Sequence, residues 1–119
     1  RTGIISARQG EHNVVERINN LSAWLKKEKG CNVVACLSQL GYKQSTSIDD
    51  IQLAQSSANL DIIIGGDTNN FHKQPVIMLN KKNEEVIIHA AADDTAGFGK
   101  ISIDFNEWGN KKKISFTNN

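Results

Sequence analysis

Two short stretches constrain this chain more than anything else in it: Asn32-Val33-Val34-Ala35-Cys36-Leu37 and Asp61-Ile62-Ile63-Ile64-Gly65. Both are nearly continuous apolar runs rich in β-branched residues, and both are too short for a buried helix. Runs of this kind read as strands buried on both faces, which occur in parallel or mixed sheets covered by helices. A chain of 119 residues that carries them is expected to be a single α/β domain over 1–119, built around a central pair of parallel strands.

The segments between and before these runs support that architecture. Residues 13–29 place Val14, Ile18, Leu21 and Leu25 at helical spacing, with Asn13 as the expected N-cap, Glu16 three residues later and Gly30 as the stop. A second, shorter helix is expected from Asp49 to Ala58, capped by Ser47, with Ile51, Leu53 and Ala54 on its apolar side. Further on the pattern changes. Val76 to Leu79, a turn at Asn80 to Asn83 and Glu84 to His89 read as a hairpin, opened by the single Pro75 where its missing N–H does least harm. Lys100 to Phe105 and Lys113 to Phe116 alternate polar and apolar residues around turn material at Trp108-Gly109-Asn110. The expected fold is a mixed sheet with two helices and a C-terminal antiparallel strand run.

Charge and composition exclude several function classes. Lys plus Arg total 14 against 13 Asp plus Glu, a net charge of +1, so there is no bulk electrostatic drive toward nucleic acid or an anionic membrane. The apolar runs fall far short of the roughly 20 residues a membrane helix needs. No Met opens the chain and no secretory signal is visible, so Arg1 reads as a processing point or an edge, and the natural protein is expected to be longer. Cys31 and Cys36 lie at odd separation across what reads as one strand, which argues against a disulfide and for a buried structural thiol at Cys36.

If the two apolar strands run parallel, the loops after them meet at one sheet edge. These are Ser38-Gln39-Leu40-Gly41-Tyr42 and Gly65-Gly66-Asp67-Thr68-Asn69-Asn70. Gly66 permits a sharp turn or close approach to a ligand, and Asp67, Thr68 and Asn69 offer oxygen ligands, although a Gly-Asp turn held by its own side chain explains the same residues. Other candidates are weaker. His12, His72 and His89 are scattered, Asp93-Asp94 reads as a solvated loop, and Lys111-Lys112-Lys113 reads as a solubilising strand flank. The usual nucleotide-binding and serine-hydrolase signatures are missing.

At these two loops the chain resembles the C-terminal half of a calcineurin-like metallophosphoesterase domain, in particular the bacterial 5'-nucleotidase-like branch. The resemblance runs from Lys26-Lys27-Glu28-Lys29-Gly30-Cys31 through Val33 to Lys43, then Leu60 to Asn69, Lys73 to Ile77, Glu85 to Ile88 and Gly99-Lys100-Ile101. It implies half of an αββα sandwich, with Gly41, Gly65 and Gly66 shaping the loops. Family members read Ser-His-Leu-Gly at the first loop and Gly-His-Thr-His at the second, and these histidines bind the two metals or sit beside them.

Here those positions are Gln39, Asp67 and Asn69. Amide carbonyls are weaker ligands than imidazole for transition metals, and each replacement is one codon base from His. The family's earlier Asp-x-His, Gly-Asp-x-x-Asp and Gly-Asn-His segments are absent from these 119 residues.

The resemblance therefore implies a degenerate, non-catalytic domain that binds no cofactor and serves as a structural or interaction module. The alternative is a metal-dependent phosphohydrolase of nucleotides or phosphate monoesters. In it, Gln39, Asp67 and Asn69 hold Mn, Mg, Ca or Zn together with ligands from another segment or chain. Expected partners are a missing N-terminal half, a second protein chain or a homodimer, with no nucleic acid. Family resemblance also points to an exported or periplasmic location.

Overall fold

The computed structural model describes residues 1–8, 10–40, 48–65, 75–90, 99–109 and 111–118. Its elements in chain order are β1 (Thr2–Arg8), α1 (Val14–Lys27), β2 (Val33–Gln39), α2 (Asp50–Ser56), β3 (Ile62–Gly65), β4 (Val76–Leu79), β5 (Glu85–Ala90), β6 (Gly99–Phe105) and β7 (Lys111–Asn118). The first five strands form one sheet in the order β1-β2-β3-β5-β4, and β6 and β7 pair as a separate antiparallel ribbon. β1, β2, β3 and β5 are parallel, and β4 runs antiparallel on the edge beside β5. The mixed sheet, the two helices and the antiparallel C-terminal strands all match expectation.

Both helices lie on one face of the sheet. Val14 and Ile18 from α1, Leu53 and Ala54 from α2, and Ile5, Val34, Cys36, Ile63, Val86 and Ile88 from the strands form one buried cluster. Alternation along parallel strands makes this possible, because register partners such as Cys36 and Ile63 share a face. Asn19 of α1 joins the helices directly. Its side-chain amide donates to the Ser56 carbonyl at 3.1 Å and its oxygen accepts the Ala58 N–H at 3.1 Å, closing the end of α2.

The helix ends correct two sequence expectations. Asn13 adopts a left-handed conformation with φ of 53° and makes no side-chain cap, so α1 begins without the expected capping box. α2 is capped by Asp49, whose carboxylate accepts the Gln52 N–H at 2.8 Å while the Gln52 side chain accepts the Asp49 N–H at 3.3 Å. The alternative cap, Ser47, lies outside the described residues. α1 stops at Lys27 with Glu28 as its C-cap, two residues short of the expected end, and Gly30 follows at φ of 69°, where a residue without Cβ carries no steric penalty.

Two further expectations change. β1 falls in a segment to which periodicity assigned no element; its inward residues are Gly3, Ile5 and Ala7, two of them too small to stand out as a buried stripe. The second concerns burial. Leu37 and Ile64, on the face away from the helices, are 47% and 37% exposed, so the two apolar strands are covered fully on one face only. On that second face Ala35 and Ile87 are buried, while Ile4, Ile77 and Leu79 stay exposed; Ile114 of the separate ribbon is buried as well.

Candidate functional site

The parallel pairing of β2 and β3 brings their C-terminal ends together. Register pairs Ser38 with Gly65, and β1 pairs Arg8 with Gln39, so Arg8, Gln39 and Gly65 share one edge of the sheet. The expectation that both ligand-like loops leave from the same edge is therefore met for the strands that carry them. Gln39 is exposed at the end of β2. Gly41, Gly66, Asp67 and Asn69 lie outside the described residues, as do His72 and Asp93-Asp94. His12 is exposed in the turn before α1, and His89 lies on β5, pairing in register with Ile64.

Around this edge Arg8, Leu37, Gln39 and Ile64 line an open cavity of about 330 Å³. Its walls join apolar surface from the uncovered sheet face to polar groups at the strand ends. A Gln39 amide beside such a cavity can offer one neutral oxygen ligand or a hydrogen-bond pair, but it cannot supply the imidazole nitrogen that transition metals favour. Among the described residues no three His, Cys, Asp or Glu side chains converge as a metal site.

Beneath the edge lies a polar pair that sequence reasoning missed. Ser38 turns inward from β2, where its hydroxyl donates to the Asp50 carboxylate and accepts the Leu40 N–H at 3.1 Å. Both residues are buried. Burial pushes the Asp50 carboxyl up to about 6; the Ser38 hydrogen bond opposes that rise, and the neighbouring Asp49 charge adds to it. The other oxygen of Asp50 has no hydrogen-bond partner among the described residues. The Asp49-Asp50 pair at a helix start was the available signal, but only the fold shows that one carboxylate caps while the other turns inward.

The same pocket of low dielectric acts on Cys36. Burial, reinforced by the Asp50 charge, raises its thiol to about 12, so it stays protonated and unreactive at neutral pH. Cys36 and Cys31 are both buried and free. Cys31 sits in the loop before β2 and not on the strand, which corrects the spacing argument made from the sequence.

At the opposite end of the sheet, Asp61 is held between two lysines. Lys26 Nζ lies 3.0 Å from its Oδ2 and Lys111 Nζ lies 3.0 Å from its Oδ1, with the Asp61 side chain only 1% exposed. Lys111 also donates to the Glu85 carbonyl. The reading of Lys111 as part of a solvated flank is therefore corrected. Lys112 and Lys113 are exposed as expected.

No family model matches the chain, and no curated protein matches it either. Solved structures do. A 5'-nucleotidase precursor from Thermus thermophilus superposes with a TM-score of 0.67 at 20% identity over 93% of this chain. NAD nucleotidase from Haemophilus influenzae does so with a TM-score of 0.69 at 19% identity over 89% of it. The chain spans 24% of the first protein and 20% of the second. At these identities the likeness is one of fold: this chain has the fold of a part of those nucleotidases.

Proposed function

We propose that this chain is a metallophosphoesterase-like domain that has lost its metal chemistry and serves as a structural or interaction module within a larger assembly. The observation that carries the reading is Gln39. It stands at the end of β2, beside the end of β3, where the family it resembles places a metal-ligating histidine. Asp67 and Asn69 stand at the other two such positions in the sequence. Amide and single carboxylate oxygens are poor substitutes for imidazole where two divalent ions must be held close together. The uncovered apolar residues Leu37 and Ile64 support the second half of the reading, since a sheet face of this kind is ordinarily buried against another segment or chain.

Native mass spectrometry of the protein from its natural source tests this. A metal-free species is the expected result. Two bound metal ions together with phosphatase activity would overturn it.

A second reading is favoured by the fold likeness to nucleotidases of which this chain spans only 20–24%. In it the chain contributes to a metal-dependent phosphohydrolase whose remaining ligands come from elsewhere, and Gln39, Asp67 and Asn69 coordinate a hard ion such as Mg²⁺, Mn²⁺ or Ca²⁺ through oxygen. Asn69→Ala in the parent protein then lowers phosphatase activity at least about tenfold. Unchanged activity removes this reading.

A further inference from the structure

The end of the sheet away from Gln39 carries a cavity of about 440 Å³ between the C-terminal turn of α1, the start of β3 and the β6–β7 turn. Three lysines line it, Lys26, Lys82 and Lys111, with two carboxylates, Asp61 and Glu84. The balance is one positive charge in excess.

The arrangement of those charges matters more than their sum. Asp61 is buried, and its single negative charge is shared between the Lys26 and Lys111 ammonium groups, each at 3.0 Å from a different oxygen. Its Oδ2 also accepts the Val34 N–H at 2.9 Å. This carboxylate accepts from three donors, yet it neutralises only one of its two cations. Lys82 donates to a neutral partner, the Asn59 side-chain oxygen at 3.0 Å. Each ammonium has three protons, so donors remain on Lys26 and Lys82 for a further acceptor. Lys111 is held so deep that its side chain is 12% exposed, where a cation without full compensation is costly.

Trp108 supplies a second kind of chemistry. It sits on the turn between β6 and β7, with its backbone N–H donating to the Asn106 side chain at 3.0 Å, and it lines the same cavity while 77% exposed. An indole left in water beside a cluster of ammonium groups matches a ligand that joins a flat ring to an anionic head.

We propose that this cavity binds a small aromatic oxyanion. The carboxylate, sulfonate or phosphate head meets Lys26 and Lys82 above the Asp61 ion pair, and the ring lies against Trp108. The site is independent of the Gln39 edge and of whether that edge ever held metal.

The test is an NMR titration of the ¹⁵N-labelled 119-residue chain with benzenesulfonate, benzoate and inorganic sulfate at fixed ionic strength. Saturating shifts centred on the Gly30, Asn32 and Gly109 amides are expected, with benzenesulfonate and benzoate both binding more tightly than sulfate. Lys82→Met should weaken all three about two- to fivefold, the scale of one exposed charge contact. Trp108→Ala should reduce benzenesulfonate to the affinity of sulfate. Lys82 and Trp108 are exposed, so neither substitution removes a buried contact that the fold needs. Failure to saturate by about 50 mM, where a millimolar site would be full, overturns the proposal. So do shifts centred elsewhere, or variants that titrate like the parent chain.

Discussion

Asp61 and Val34 hold each other by two reciprocal hydrogen bonds: the Asp61 N–H donates to the Val34 carbonyl at 2.9 Å, and the Val34 N–H donates to the Asp61 carboxylate at 2.9 Å. This pair fixes the start of β3 against β2, and so fixes the register that later places Gly65 beside Ser38. Lys26 and Lys111 close on the same carboxylate from α1 and β7. One side chain thus ties together a helix, two strands of the sheet and the separate ribbon.

Removing it should be among the costliest single changes in the chain. Asp61→Ala leaves a buried N–H without its acceptor and two ammonium groups without their counter-ion, so a loss of about 3–5 kcal/mol is expected. Asp61→Asn keeps an oxygen for Val34 and should cost less. Urea unfolding of the two variants checks the order, and equal stability of both with the parent chain would show that the ion cluster is merely solvated.

Asp50 sets a pH dependence. Its carboxyl is held up at about 6 by burial against an ordinary value of 3.8, so the folded state grips this proton more tightly than the unfolded chain does. The stability it contributes is complete below about pH 4 and is lost as pH rises through 6, an effect on the order of 3 kcal/mol. Asp50→Asn cannot ionise and keeps the acceptor for Ser38, so its stability should be nearly flat between pH 4 and 7. A variant with the same slope as the parent would assign that slope to another group.

The two sheet faces should respond differently to the same truncation. Ile63 is fully buried against the helices, and Ile63→Ala should cost about 2–5 kcal/mol. Its neighbour Ile64 faces the other way and is partly exposed, and Ile64→Ala should cost under about 1 kcal/mol in this chain alone. Equal losses would mean that both faces are covered in solution.

Gly3 is required by proximity and not by backbone conformation. A Cβ at this position would lie 2.8 Å from Leu25 Cδ1 and 3.2 Å from Cys31 Sγ, beneath the last turn of α1. The Leu25 side chain can turn away, so Gly3→Ala should destabilise by about 1–3 kcal/mol without blocking folding. Calorimetry would show this as a lowered Tm. An unchanged or raised Tm would mean that α1 and β1 are packed loosely enough to admit a methyl group.

Local pattern determined much of this protein. β-branched runs specify β2 and β3, an i, i+3, i+4 stripe specifies α1, and Asn80 announces its turn because its side-chain oxygen takes the Lys82 and Glu84 N–H groups within the turn itself. Each of these signals is carried by residues that are neighbours in sequence. β1 escaped because Gly3 and Ala7 bury little apolar area and so leave a weak stripe.

What only the tertiary structure decided is which polar groups enter the interior. Asp61 and Lys111 are 50 positions apart, and Ser38 and Asp50 are 12 apart, so no local pattern distinguishes them from solvated charges. Nor does composition reveal that one sheet face is left partly bare. A side chain's face follows from the two-residue period of its strand, but the cover over that face depends on segments placed by the whole fold, and burial is settled only once all of them have packed.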